Sequence, residues 1–408
     1  MSTSLTPARI VHGIRWRLRK LRGALSWRAR KVRDAARVRM ARRSAQPRVD
    51  AFMRGEAKRP LGIVGFFGHG NYGDELFLDV FHQHLGDRFE LSIIPDLEAK
   101  PYFSRPVEEK VAEVDAILMG GGDLIQRWNT DPRYFDREYL TKPFFVAGVG
   151  VPIYEGSEKH LEKEHIIRRL QGFFRHPNVK FIGMRDDFGA NWIRTKIQPT
   201  APVVSEPDIV CSLDLPPATK PEGAPILGIV TRQRRVDTPD DYTRLIELAE
   251  HAKARGWRIR HIVLGTGSVG ERDVANAEAL AVEGKELVYT ESLDELSVAI
   301  GECTALASMK FHGTVVATMY GVPSMVLIPT NKNVNFMERI GRGDLVAQYN
   351  SDRLLEIFGE NGPEPIAAES VAMLRERSTA LMQDVRARIS AEVANAIIHE
   401  VGDQARSR

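Results

Sequence analysis

The feature that most constrains this chain is a series of short, almost wholly apolar segments separated by helix-length stretches. "LGIVGFFG" (61–68), "LSIIP" (91–95), "AILMGGG" (116–122), "PFFVAGVG" (143–150) and "VKFIGMR" (179–185) alternate with stretches such as "DELFLDVFHQHLG" and "EKHLEKEHIIRRLQGFF". A strand that is apolar on both sides must be covered on both faces. Such strands alternating with helices therefore predict a parallel sheet between two helical layers. The proline-rich segment "SLDLPPATKPEGAP" (212–225) interrupts this order and reads as a linker. The alternation then resumes with "ILGIVTRQ" (226–233), "RIRHIVLG" (258–265), "ELVYTE" (286–291), "TALASMKF" (304–311) and "SMVLIP" (324–329), before a helical C-terminus over roughly 365–400. The expectation is an α/β chain of two Rossmann-like doubly wound domains facing one cleft. Residues 59–213 form the first domain and 214–408 the second, preceded by an arm over 1–58. Ligands of such sheets bind beyond the carboxyl ends of the strands, so chemistry is sought there.

Charge sets the arm apart. Residues 1–60 hold 18 Lys/Arg against 3 Asp/Glu, a charge of +15, whereas the remainder carries −12 and the whole chain +3. Ile10, Ile14, Leu18, Leu21, Leu25, Val32 and Ala36 trace one helical face among these cations, while Trp16 and Trp27 fall on the opposite face. A basic amphipathic helix suits an anionic membrane surface, and residues 1–50 are expected to attach there. A helix docked on protein, or a basic tail that orders on a polyanion, explains the same pattern. No specific nucleic-acid partner is expected. No apolar run is long enough to span a bilayer, and the start lacks the apolar core of a secretory signal. Cys211 and Cys303 stand far apart without metal-ligand spacing, which fits a reducing compartment and no metal.

The glycine-marked strand ends are the candidate sites. "FFGHGNYGDELFLDV" (66–80) combines Gly68, Gly70 and Gly73 with Asn71 and Asp74, residue types that begin helices. It reads either as a nest of N–H groups aimed at an anion or as a plain strand-to-helix turn. "MGGGDLIQ" sets Gly120, Gly121, Gly122 and Asp123 at the third strand end, which suggests close approach of a ligand to the backbone, or a turn capped by Asp123. Arg185 either pairs with Asp186 or Asp187 in water or reaches the cleft to grip a carboxylate or phosphate. Asp208, in "SEPDIV", follows another strand as a cap or turn residue.

The sharpest stretch is "ASMKFHGTVVATMYGVPSMVLIP" (307–329). Strand alternation would point Lys310 and His312 the same way on either side of Phe311, with Gly313 opening the next helix. A cation, an imidazole and a helix N-terminus at one spot would suit an anionic substrate undergoing proton transfer, because the histidine pKa lies near neutrality. A capping histidine beside a solvated lysine is the plainer alternative. Lys332, in "PTNKNVNF", lies at the neighbouring strand end.

Taken in order, "GHGNYGDELFL", "AILMGGGDLI", "GVGVP", "MRDDFGANWI", "EPDIVCSL" and "SMKFHGTVVATMYGVPSMVLIPTNKNV" resemble the polysaccharide pyruvyl transferase family over about residues 61–340. The resemblance implies a fold similar to the GT-B glycosyltransferases. It also implies transfer of the enolpyruvyl carbons of phosphoenolpyruvate to two hydroxyls of a sugar, forming a cyclic ketal, with no cofactor beyond that co-substrate. It makes His312 the catalytic residue and Lys310, Arg185 and Lys332 donor-binding residues. Phe311, Gly313, Gly121, Gly122 and Asp123 join the substrate site, and Asn71, Gly73 and Asp74 fall on the acceptor side. Lys310 is a departure, since the family carries arginine there. The implied acceptor is a lipid-linked or polymeric saccharide of a cell-surface or exopolysaccharide precursor, met at the cytoplasmic face of the inner membrane. The competing expectations are a GT-B-type glycosyltransferase using a nucleotide sugar and a non-catalytic, membrane-associated anion-binding scaffold.

Overall fold

The computed structural model describes residues 39–40, 42–97, 103–153, 161–232 and 241–407. The stripe from Ile10 to Ala36 therefore lies outside the described residues. Two compact units are present. In the smaller, which includes residues up to Ala57 and from Ala391, residues 42–53 are helical and bury Ala45 and Phe52. The larger, Lys58–Ser390, contains both sheets.

The first sheet is built from β1 (Arg59–Val64), β2 (Phe89–Ile93), β3 (Ala116–Gly120), β4 (Phe144–Val149), β5 (Val179–Met184) and β6 (Val203–Ser205). Its strands run in the order β2-β1-β3-β4-β5-β6, and every pairing is parallel. The second sheet uses β7 (Ile226–Val230), β8 (Arg258–Ile262), β9 (Glu286–Val288), β10 (Ala305–Ser308) and β11 (Ser324–Val326), ordered β11-β10-β7-β8-β9 and again all parallel. β3, β4, β7 and β10 are buried along their whole length, as the continuous apolar runs require. Each sheet changes winding direction once, between β1 and β3 in the first and between β7 and β10 in the second. These are the crevices where such sheets receive ligands.

Several contacts join the carboxyl ends of the two sheets. Thr266 N–H donates to the Gly70 carbonyl at 2.8 Å, and Tyr72 Oη meets Ser297 Oγ at 2.7 Å. Asn331 accepts from Ile153 N–H at 3.0 Å and donates to the Val151 carbonyl at 3.1 Å. The helix Ala368–Ser407 returns to the first sheet, where Leu381 packs on Gly183 and Ser378 Oγ donates to the Asp208 carbonyl at 3.0 Å. Among the described residues, no helix is long and apolar enough to cross a membrane.

One buried polar pair stitches β8 to the loop leaving β7. His261 Nε2 and Thr231 Oγ1 are 2.9 Å apart, and both side chains are buried. Burial pulls the His261 pKa from its ordinary 6.5 to about 3, with a smaller push from Lys285. The unfolded chain therefore takes up a proton near pH 6.5 that the folded chain refuses until about pH 3. This residue's contribution to stability is complete above pH 6.5 and falls on acidification at up to about 1.4 kcal/mol per pH unit. Denaturant melts of His261→Gln between pH 6 and 4 should show a pH slope shallower than the wild type by about 1 kcal/mol per unit. Parallel slopes would mean that the imidazole is charged in the fold.

Candidate functional site

β10 ends at Ser308 and the next helix, Phe311–Met319, begins before Gly313, so Lys310 and His312 do not alternate on a strand. The cause is local. Ser308 Oγ accepts from Lys310 N–H at 3.2 Å and donates to the Lys310 carbonyl at 2.8 Å, a side-chain turn that closes the strand early. Lys310 becomes the residue preceding the helix, and His312 sits in its first turn. The two side chains converge through helix entry, not through strand period.

His312 occupies a fitted niche and is 8% exposed. A Cβ at Gly73 would fall on the imidazole, so only glycine leaves room for the ring there. The edge of Phe77 closes one side, with centroids 5.4 Å apart and planes at 87°. Asp208 Oδ2 stands 3.5 Å from His312 Nε2, and neither atom has another hydrogen-bond partner among the described residues. Asp208 is fixed by accepting the Val210 N–H at 3.0 Å on its other oxygen. Burial opposes its ionisation, but His312 and Arg185 outweigh that and hold its pKa below the ordinary value.

Behind this niche runs a chain of charges. Arg185, with its side chain 2% exposed, bonds Asp123 through Nη2, while its Nη1 lies 3.9 Å from Asp208. Lys332 Nζ takes the other Asp123 oxygen at 2.9 Å. The Phe311 ring lies 5.0 Å from the Arg185 guanidinium and 5.5 Å from the Lys332 ammonium, near enough to both for cation–π attraction. Burial works against the Asp123 charge, yet Arg185 and Lys332 pull its pKa down to about 2. Arg185 is thus not solvated: its Nη2 is bound to Asp123, while its buried Nε and Nη1 have no hydrogen-bond partner among the described residues.

The glycine-marked turns also satisfy themselves. Gly68 and Gly70 N–H both donate to the Glu75 carboxylate at 3.1 Å, so the expected anion nest already holds an anion from its own helix. Asn71 occupies the N-cap position without a capping bond, and its amide instead bonds Asp74. Burial raises the Asp74 pKa, against pulls from His312, Asn71 and Lys332. Gly121 and Gly122 adopt φ of 88° and 63°, and what approaches their backbone is protein: the Phe67 and Phe77 rings at Gly121 and the Asp74 carboxylate at Gly122.

A cavity of about 380 Å³ opens where the two switch points meet. Asn71, Gly73, Lys310, Phe311, His312, Gly313 and Lys332 line it, whereas Asp74, Gly121, Gly122, Asp123 and Arg185 stand outside its wall. Three charged residues not singled out in the sequence join the wall: Arg232, Arg272 and Asp273. Arg232 follows the carboxyl end of β7, a position that strand-end logic marks, but nothing in the local pattern of "GSVGERDVANAEA" marks Arg272 or Asp273. Lys310 Nζ donates to the Leu264 carbonyl at 2.5 Å and pairs with Asp273 Oδ2 at 2.5 Å. Burial lowers the Lys310 pKa, and Asp273 pulls against that. Among the described residues, no cluster of three potential metal ligands occurs. The arrangement is chemically a box for a small anion, with an imidazole on one wall.

A model of the family described as polysaccharide pyruvyl transferase matches residues 71–331. No curated protein sequence matches the chain. Among solved structures, the UDP-GlcNAc 2-epimerase from Neisseria meningitidis aligns with a TM-score of 0.50 at 10% identity, over 80% of this chain and 99% of that one. The UDP-N-acetylglucosamine 2-epimerase from Rickettsia bellii aligns at 0.48 and 11%, over 83% and 98%. A Thermobaculum terrenum O-GlcNAc transferase aligns at 0.39 and 14%, over 86% and 69%. At 10% identity the likeness to the Neisseria meningitidis epimerase is one of fold alone, and the paired parallel sheets are GT-B-like.

Asp123→Asn would leave Arg185 buried beside a neutral amide. Breaking a buried pair from one side costs about 3 kcal/mol or more, so denaturant melts at pH 7 should shift by that amount. The wild-type advantage should hold down to the ordinary carboxyl pKa of 3.8, shrink on further acidification as the unfolded chain takes up the proton first, and be gone once the pH falls through about 2. An unchanged melt at pH 7 would show that the guanidinium has found water instead.

Proposed function

The chain belongs to the polysaccharide pyruvyl transferase family, and from that premise we propose that it transfers the enolpyruvyl carbons of phosphoenolpyruvate to two hydroxyls of a sugar. The product would be a cyclic ketal on a cell-surface or exopolysaccharide precursor. The observation that carries this reading is the position of His312, whose ring lines the same small cavity as Arg232, Arg272, Lys310 and Lys332. Phosphoenolpyruvate is a compact trianion, and its carboxylate and phosphate call for fixed cations in a partly desolvated site.

The chemistry assigns each part a task. A proton delivered to the methylene carbon makes C2 electrophilic, and His312 is the general acid for that step. Its Nε2 faces Asp208, which stabilises the imidazolium and leaves Nδ1, on the Gly73 side, to carry the transferred proton. One sugar hydroxyl then bonds to C2. The second hydroxyl displaces phosphate from the same carbon, closing the ketal. Of the two hydroxyl protons released, one balances the proton placed on the methyl carbon and the other leaves with phosphate. The cations hold the donor's carboxylate and phosphate before and during the reaction, and they keep the departing phosphate paired. The basic arm serves the same reading, since an acceptor carried on a lipid at an anionic membrane surface would be met by a surface-bound enzyme.

Phosphate release from phosphoenolpyruvate, assayed with a panel of saccharide glycosides, should depend on the sugar. It should fall by about a hundredfold or more in His312→Ala. Turnover by that variant at the wild-type rate would remove the acid role. Release of a nucleotide from a nucleotide sugar, with none from phosphoenolpyruvate, would replace the donor. Separately, removing residues 1–50 should abolish sedimentation with vesicles of anionic phospholipid, and undiminished sedimentation would reject the membrane role of the arm.

A further inference from the structure

Of the cations around the cavity, some are already committed to protein partners. Lys310 Nζ is held between the Leu264 carbonyl and Asp273, with its side chain 12% exposed. Lys332 Nζ is held by Asp123. Arg185 lies outside the cavity wall, with Nη2 on Asp123 and with Nε and Nη1 buried and without a hydrogen-bond partner among the described residues. Arg232 and Arg272 differ. Both line the cavity, both are exposed, and no carboxylate of the described residues pairs with either. Among the described residues, Arg272 is tethered by Nε alone, which donates to the Ser268 carbonyl at 3.2 Å, and its terminal nitrogens are left over.

We propose that Arg232 and Arg272 form the clamp for the donor's anionic groups and that Lys310 is a positioning cation, not a donor ligand. The proposal rests on the reading of the donor given above and adds which residues hold it. Geometry supports the division. Arg232 lies two residues beyond β7 and Lys310 two beyond β10, the strands that flank the switch point of the second sheet. Arg272 enters from the helix Gly267–Ala279 on the next strand's connection. Two guanidiniums match the donor's two anionic ends, and each offers the planar pair of N–H groups that a carboxylate or phosphate accepts side by side. A lysine cannot make that fork, and here its ammonium already serves Asp273. The neighbouring helix residues 272 and 273 thus divide the work: Asp273 holds Lys310 in place while Arg272 meets the ligand.

The test is calorimetric titration of phosphoenolpyruvate, and separately of UDP, into wild type, Arg232→Ala, Arg272→Ala, the double Arg variant, Lys310→Met and Lys310→Gln. Thermal melts would report whether each variant is folded. Each Arg→Ala variant should weaken phosphoenolpyruvate binding about tenfold or more, and Arg272→Lys should restore only part of the loss. Lys310→Met should lose less than either. Lys310→Gln, which keeps a donor for the Leu264 carbonyl, stands in if the Met variant unfolds. In turnover, the Arg variants should raise KM for phosphoenolpyruvate with kcat within about threefold, the pattern of lost uniform binding. Unchanged binding in the double Arg variant, with the wild type binding normally, overturns the clamp and leaves the donor reading intact. A lysine variant that loses as much as the double variant also overturns it. Tight UDP binding by the wild type without phosphoenolpyruvate binding, lost in the Arg variants, overturns the donor and supports the clamp. A wild type that binds neither overturns both.

Discussion

Asp123 is the carboxylate on which the arrangement turns. It comes from the end of β3, and it receives Arg185 from the end of β5 in its own sheet and Lys332 from the helix after β11 in the other. An isolated carboxylate at this depth would be expensive to ionise, and an isolated guanidinium would be left buried without a counter-charge. Together they settle as a charged row, and the depressed Asp123 pKa records how far the two cations outweigh burial. Because Lys332 belongs to the second sheet, the row also fixes where the two sets of strand ends stand within the larger unit. His312 and Asp208 repeat the device a few ångströms away, with the histidine again from the second sheet and the carboxylate from the first. The candidate cavity is thus held in place by charges shared between the two sheets.

That economy has a consequence for the division of labour. Residues that bear charge at strand ends fall into two layers. Asp74, Asp123, Asp208 and Arg185 lie behind the wall, where Lys332 and His312 reach back to Asp123 and Asp208, while the wall itself keeps an excess of cations over Asp273. A buried network has little freedom to reorganise when a ligand arrives, because moving one partner strands another. Exposed arginines at the rim can reorient without that penalty, at the cost of some side-chain entropy. Charge that must meet a changing substrate is better placed at the rim, and charge that must aim His312 is better placed behind it.

The architecture was legible because its signal is redundant. β3, β4, β7 and β10 are buried along their length, so their sequences carry almost nothing but apolar residues. The site was legible at His312, Lys310, Lys332, Asn71 and Gly73 because they cluster at strand ends, but their geometry was not. Strand period could not anticipate the Ser308 hydroxyl turn that ends β10 early. The nest formed by Gly68 and Gly70 was readable as a place for an anion. That the anion is Glu75, five residues from Gly70, depends on the path of the loop and not on composition. Gly121 and Gly122 show the same ambiguity, since a glycine demands that something come close without saying whether it is ligand or protein. Arg272 and Asp273 escaped because a charged pair in a surface-like helix ordinarily faces water. Lys310 comes to Asp273 only in three dimensions.

Lys310 is where the chain departs from the arginine its family resemblance implies, and its surroundings account for lysine. An ammonium is a compact charge with three donors and suits a narrow space that offers one carbonyl and one carboxylate. The Leu264 carbonyl and Asp273 supply them, at 2.5 Å each. Burial lowers the Lys310 pKa, so the charge depends on Asp273 for its retention. Lys310 and Asp273 are therefore best understood as one unit: a change at either alters the protonation or the position of the other. Substituting arginine at 310 without touching Asp273 would enlarge the cation and keep the carboxylate that binds it, giving the guanidinium a protein partner before any substrate arrives. The identity of residue 310 is for that reason inseparable from that of residue 273, although 36 positions lie between them in the chain.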